Sequence, residues 1–204
     1  MYKLYWAPDT ASLAPMAVLE EVGADYEAIP IDYQGGQQKS DEYLALNPCG
    51  LIPAMVLPDG RAMFEAAAIV MHLCDQYPAA HLAPPPGDPD RPFFYQWMLY
   101  LADTPQPTFR RYYYPGRFAA AEDDVRKRSV DALLDQFAIV EDALSHGEWL
   151  LGNRFGACDI YLHMLTTWFE PPEALYARFP NIARVAAGVE VRPASARAIA
   201  KHRP

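Results

Sequence analysis

Apolar and polar positions alternate between strand and helix rhythm in the first part of this chain and keep to helix rhythm in the rest. Lys3-Leu4-Tyr5-Trp6 reads as a short strand. Ala17, Val18, Leu19 and Val22 then form one helical face, with Ser12 as a natural N-cap, Pro15 tolerable in a first turn and Gly23 as a stop. Tyr26 to Ile31 returns to strand, and Ser40 to Leu46 to helix, after the polar loop Gln34 to Lys39. Met55-Val56-Leu57 and Ala62-Met63-Phe64 flank Pro58-Asp59-Gly60-Arg61, a hairpin signal, and the helical run from Glu65 to Leu73 follows directly.

After Tyr77-Pro78 the strands cease. Leu82 to Pro89 holds three consecutive prolines, which suit neither helix nor central strand and predict a semi-rigid linker. Pro92 to Leu101 is helical and aromatic, with a kink or break expected at Pro105 and Pro107. Glu122 to Leu144 is amphipathic through Val125, Val130, Leu133, Leu134, Phe137 and Val140. Cys158 to Phe169 is apolar on nearly all sides, as a central buried helix should be, and Pro171-Pro172 stops it. Shorter helices are expected over Asn181 to Val189 and Pro193 to His202. The expected organisation is a domain over 1–79, a linker over 80–90 and an all-α domain over 91–204.

The stretch from Asn47 to Leu57 is the most informative. Asn47-Pro48 ends a helical pattern, Gly50 permits a tight reversal, and Pro53 sits at the mouth of a strand. An ordinary trans proline opening the strand is one reading. A cis Ile52-Pro53 bond that turns the Ile52 backbone outward is the other. The second places an unpaired backbone edge near the start of the helix at Glu65, where free N–H groups favour a carboxylate. Such an edge beside an anion site suits an extended peptide with a carboxylate.

Of the 204 residues, 51% are hydrophobic, enough for a sizeable core. A net charge of −9 argues against nucleic acid or an anionic membrane as partner. No apolar run reaches the ~20 residues of a membrane span, and the start lacks a signal-peptide layout, so a cytoplasmic location is expected. Cys49, Cys74 and Cys158 form no C-x-x-C pair, and the five histidines show no ligand spacing, so no metal is expected.

Three stretches together resemble the glutathione S-transferases. They are Leu4-Tyr5-Trp6-x-Pro8-x-x-x-Ser12-x-x-Pro15-x-x-x-Leu19-Glu20-Glu21-x-Gly23, then Asn47-Pro48-x-Gly50-x-Ile52-Pro53 with Glu65-Ala66-x-Ala68-Ile69, and Gly152-x-x-Phe155-x-x-x-Asp159-Ile160. The resemblance covers essentially the whole chain and looks bacterial and beta-like. It implies a thioredoxin-like α/β domain with a mixed four-stranded sheet, an all-α second domain, glutathione as co-substrate, a homodimer and detoxification of small hydrophobic electrophiles. Peroxide reduction, double-bond isomerisation and a non-catalytic binding module on the same fold are the alternatives.

A free cysteine thiol has a pKa near ~8.5, so a transferase must stabilise the thiolate. The beta-like pattern has a cysteine where Ala11 stands, a tyrosine at Trp6 and a histidine near Gln106. The resemblance therefore leaves Ser12, Thr10 and the amides around Ala11 to activate the thiol, with Ser12 narrowly ahead of Thr10. A plain N-cap for Ser12 and a backbone-bonded loop hydroxyl for Thr10 are the bland readings. Glutathione is expected at Ile52, Pro53, Glu65 and Ala66, with Lys39 or Gln38 from the loop and Asp103 reaching across a dimer. Ala66 keeps the backbone N–H of the family's acidic–Ser pair but lacks its hydroxyl. Trp6, Gln106, Tyr112 and Tyr113 are expected to line the second-substrate pocket, because aromatic walls suit an apolar electrophile, with core packing or a dimer interface as the other reading of these rings.

Overall fold

The computed structural model describes residues 1–203. The chain divides into two compact units, Met1–Pro85 with Val189–Pro204, and Pro86–Gly188. The last helix thus belongs with the sheet, not with the helical region to which the sequence reading assigned it.

The first unit is a four-stranded mixed sheet in the order β2-β1-β3-β4. Strand β1 (Tyr2–Trp6) runs parallel to β2 (Tyr26–Pro30) and antiparallel to β3 (Ala54–Val56), and β3 pairs antiparallel with β4 (Ala62–Phe64). Helix α1 (Leu13–Val22) connects β1 to β2, as a parallel pair requires. Leu13 to Leu19 are all buried, and Gly23 ends the helix at φ 67°. Helix α2 (Asp41–Leu44) is shorter than the Ser40 to Leu46 pattern, and its cap is Ser40, whose Oγ accepts the Tyr43 N–H. Helix α3 (Ala66–Gln76) follows β4 and buries Ile69, Val70 and Leu73.

The second unit is helical. Helix α4 (Arg91–Asp103) gives way at Thr104 to α5 (Pro105–Tyr113). Pro105 does not merely interrupt the helix: it opens the next one, where its missing N–H costs nothing. Helix α6 (Glu122–Leu144) buries Leu133, Phe137 and Val140, and α7 (Ala157–Thr166) is buried at every position. The sequence reading has Pro171-Pro172 as a stop only, yet α8 (Pro172–Arg178) starts there, followed by α9 (Pro180–Glu190). Glu141 of α6 accepts the N–H groups of Asn181 and Ile182, neutralising the start of α9.

Helix α10 (Pro193–His202) returns to the first unit and packs on α1. Polar side chains set that contact. Glu21, its carboxylate side chain 6% exposed, takes Arg192 at 2.9 and 2.7 Å and the Ser195 hydroxyl at 2.8 Å. Glu20 takes Arg197 at 2.7 Å and the Tyr26 hydroxyl at 2.7 Å. Burial by itself raises the Glu21 pKa, but the hydrogen bonds from Arg192 and Ser195 outweigh it and hold the carboxyl below its ordinary value. A lowered native pKa is stability that is present above the unfolded value, about 4.3, and lost as pH falls through the native one. We therefore expect Glu21→Gln to cost about 1–2 kcal/mol at pH 7 and to flatten the acid limb of a pH–stability curve from urea melts. An unaltered acid limb would dissociate this pair from acid unfolding.

Candidate functional site

Strand register builds the site. Tyr5 faces Ala54 and Ala54 faces Phe64, so the next residues, Trp6, Pro53 and Glu65, lie at the same end of the sheet. The loop Ala7 to Ser12 leaves from this end, and α3 starts there.

The approach to Pro53 is held by two residues whose part the sequence reading missed. Asn47, 3% exposed, donates from Nδ2 to the Leu51 carbonyl at 2.7 Å and accepts the Cys49 N–H at 3.1 Å. The Tyr43 hydroxyl donates to the same Leu51 carbonyl at 2.8 Å. Tyr43 packs with Ala7, Ile31, Ile52 and Ala54, and burial pushes its phenol pKa up, so it stays a donor at neutral pH. A short asparagine before Pro48 that turns its amide along the following loop is the local signal for this role. With Leu51 pinned, the Ile52-Pro53 bond is cis, and the Ile52 N–H and C=O have no hydrogen-bond partner among the described residues. Glu170-Pro171, in the helical unit, is also cis.

Glu65 is exposed and adopts φ 71°, a left-handed value that glutamate rarely takes. Such a conformation costs about 1–3 kcal/mol and persists where surrounding structure enforces it, commonly at ligand sites. No side chain among the described residues caps α3, which leaves the N–H groups from Ala66 onward for an anion. Across the loop, Lys39 donates to the Cys49 carbonyl at 3.2 Å and is otherwise exposed, while Gln38 is 8% exposed and its Oε1 has no partner among the described residues.

At the start of α1 the two hydroxyls occupy different positions. Ser12 is fully buried and already helical at φ −74°, ψ −14°, and its hydroxyl does not cap the helix. The plain N-cap expected of it is therefore absent. Its Oγ accepts the Ala7 N–H at 3.3 Å and lies 3.2 Å from the Ala7 carbonyl and 2.7 Å from Thr10 Oγ1. Thr10 is half-buried, with Oγ1 2.8 Å from the Ala7 carbonyl. Thr10 is therefore the outer hydroxyl and Ser12 the inner one.

A further residue joins this pair from the end of the chain. His202, 2% exposed, lies with Nε2 3.5 Å from Ser12 Oγ and its ring 5.1 Å from that of Trp6. Burial pushes its pKa down to about 4, so the imidazole is neutral at pH 7. No sequence signal marks His202, because its 190-residue separation from Ser12 is closed only by α10 docking on α1. The Trp6 Nε1 is buried and finds no acceptor among the described residues.

The remaining expected residues lie on the helical unit. Asp103 is exposed at the end of α4. Gln106 accepts from the Tyr161 hydroxyl. Tyr112 is half-buried against Tyr113, whose hydroxyl bonds Glu170 at 2.9 Å. Among the described residues, no group of three His, Cys, Asp or Glu side chains is placed to hold a metal ion.

The site can therefore offer a peptide backbone an unpaired edge, a carboxylate a helix start, an ammonium a carboxylate, and an anionic sulfur a hydroxyl loop. Comparison with known proteins finds glutathione transferases. The family model for the glutathione S-transferase N-terminal domain matches residues 12–76. Glutathione S-transferase GstA of Escherichia coli O157:H7 is 30% identical over 167 residues, 81% of each chain. A glutathione transferase from Methylococcus capsulatus superposes with a TM-score of 0.89 at 29% identity, over 99% of this chain and 98% of that one. A sphingomonad glutathione S-transferase complexed with glutathione superposes at 0.86, also at 29% identity, over 98% of both chains.

Proposed function

The chain belongs to the glutathione S-transferase family, and from that premise we propose that it is a glutathione transferase, joining the thiolate of glutathione to small apolar electrophiles. The observation that carries the reading is the convergence, at one end of the sheet, of the unpaired Ile52 backbone, the uncapped start of α3 and the Thr10 hydroxyl. In this reading the cysteinyl residue of glutathione pairs with Ile52 as an added strand would. Its γ-glutamyl carboxylate meets the Ala66 amide, and its ammonium meets Glu65, with Asp103 of a second copy as a further partner in a homodimer. The glycyl carboxylate is held by Lys39 with Gln38.

Thiol activation falls to Thr10 and the amides around Ala11. A charge-assisted hydrogen bond is worth about 1.5–3 kcal/mol, which is roughly 1–2 pKa units. That brings a thiol from near ~8.5 to the edge of neutrality without a tyrosine or cysteine. Electrophile binding draws on Gln106, Tyr112 and Tyr113 of the helical unit. The reading also implies a soluble cytoplasmic protein that needs no metal.

Ultraviolet titration of the protein saturated with glutathione tests it. A thiolate band should appear below the pH at which free glutathione ionises, and Thr10→Val should move its midpoint up by about 1–2 units. Turnover of an aryl halide should fall in parallel. Retention on a glutathione matrix without a thiolate band or turnover would reduce the protein to a binding module.

A further inference from the structure

We propose that His202, at the end of the last helix, is a positioning residue for thiol activation: it sets the direction of the Ser12–Thr10 hydroxyl pair so that the Thr10 proton is free for the sulfur. This rests on the reading of Thr10 as the hydroxyl that meets glutathione.

Proton counting carries the inference. A neutral imidazole has one N–H, on either nitrogen. The His202 Nδ1 is buried and has no hydrogen-bond partner among the described residues, whereas Nε2 lies 3.5 Å from Ser12 Oγ. A proton on Nδ1 would be a buried donor with no acceptor, the costlier kind of orphan. The proton therefore sits on Nε2, and His202 donates to Ser12.

Ser12 Oγ has two acceptor positions and one proton. One position takes the Ala7 N–H at 3.3 Å and the other takes His202. It then has no room to accept from Thr10, so the 2.7 Å contact between the two hydroxyls runs from Ser12 to Thr10 Oγ1. The Thr10 proton is left with the Ala7 carbonyl at 2.8 Å, or with an anion placed outside the loop. Accepting from Ser12 also polarises the Thr10 O–H and makes it the stronger donor. Without the imidazole donor, Ser12 regains an acceptor position, Thr10 donates inward to it, and the outward proton is lost.

The chain of effects is readable in the bound thiol. His202→Phe keeps the ring against Trp6 and removes the donor. It should raise the midpoint of the thiolate band by about one unit, a tenfold loss of thiolate at fixed pH. The glutathione dissociation constant should stay within about twofold, because none of the groups that hold the peptide is touched. His202→Gln, which again presents an N–H to Ser12, should recover most of the shift. Ser12→Ala removes the inward acceptor together with the polarising donor, so with His202 intact it should move the midpoint clearly less than His202→Phe does, and adding His202→Phe to it should change nothing more. His202→Leu, which also removes the donor, serves if His202→Phe does not fold. An unmoved midpoint in a folded His202→Phe, shifts that add in the double variant, or a shift that His202→Gln does not reverse would each overturn the proposal. Those failures concern His202 alone. A parent protein that binds glutathione with no thiolate band would instead remove the functional reading, and this proposal with it.

Discussion

Replacing Asp159 with alanine is expected to lower stability by about 3–5 kcal/mol, because it leaves buried polar groups without a partner. Asp159 is fully buried in α7, with Oδ1 accepting the Leu150 N–H at 2.9 Å and Oδ2 the Gly156 N–H at 2.8 Å. It ties the turn before the helix to the helix's first turn. Alanine orphans both N–H groups and opens a small void. An asparagine in its place would keep an acceptor for one N–H but turn an amide donor on the other, so Asp159→Asn should cost about 2–3 kcal/mol. Urea melts followed by circular dichroism at pH 7 separate the two values, and a loss below that of an ordinary surface change in either variant would refute the role.

The same carboxyl gives stability a dependence on pH opposite in sign to that of Glu21. Burial pushes the Asp159 pKa up to about 7, against the lowering effect of its two backbone N–H donors. A raised pKa means that the native state binds the proton more tightly than the unfolded chain. The contribution is full below about pH 4 and lost as pH rises through about 7. Asp159→Asn, having no proton to lose, should show a flatter decline between those limits. Glu21, with its lowered pKa, sets the acid limb. Maximum stability is therefore expected on the acid side of neutrality.

Glu65→Gln should weaken glutathione binding about tenfold, the lower end of what a charge-assisted hydrogen bond contributes, since Glu65 is exposed and water screens it. Gln is chosen because it keeps the size of the side chain and the backbone demand at φ 71°. Titration calorimetry with glutathione and with an analogue lacking the γ-glutamyl amine isolates the pair. The substitution should cost affinity for glutathione and leave the analogue nearly unaffected. Equal losses for both ligands would mean that Glu65 acts through the geometry of the loop and does not meet the ammonium.

Much of this molecule can be read from local chemistry. Gly23 at a helix end, Asp59-Gly60 between two apolar runs and the all-apolar face of α7 each impose a conformation through near neighbours. The Asn47–Leu57 stretch announces the site for the same reason, since proline and glycine restrict or free the backbone wherever they stand. Where the sequence reading stops short of the structure, a single residue has two meanings. Pro105 and Pro172 are breakers when seen from the preceding helix and first-turn residues when seen from the following one, and only packing chooses.

Which of Thr10 and Ser12 lies outward belongs to tertiary structure. Both are small hydroxyls at a helix start, and the propensity that makes Ser12 an N-cap is a few tenths to about 2 kcal/mol, easily overruled. Burial behind Ala7 with His202 in contact turns Ser12 inward and leaves Thr10 as the outer hydroxyl. That contact exists because Glu20 and Glu21 of α1 hold Arg197 and Arg192 near the end of the chain. Spacing along the sequence carries no trace of it: a strand or helix is set by neighbours within a few residues, whereas α10 reaches α1 only after the helical unit has intervened.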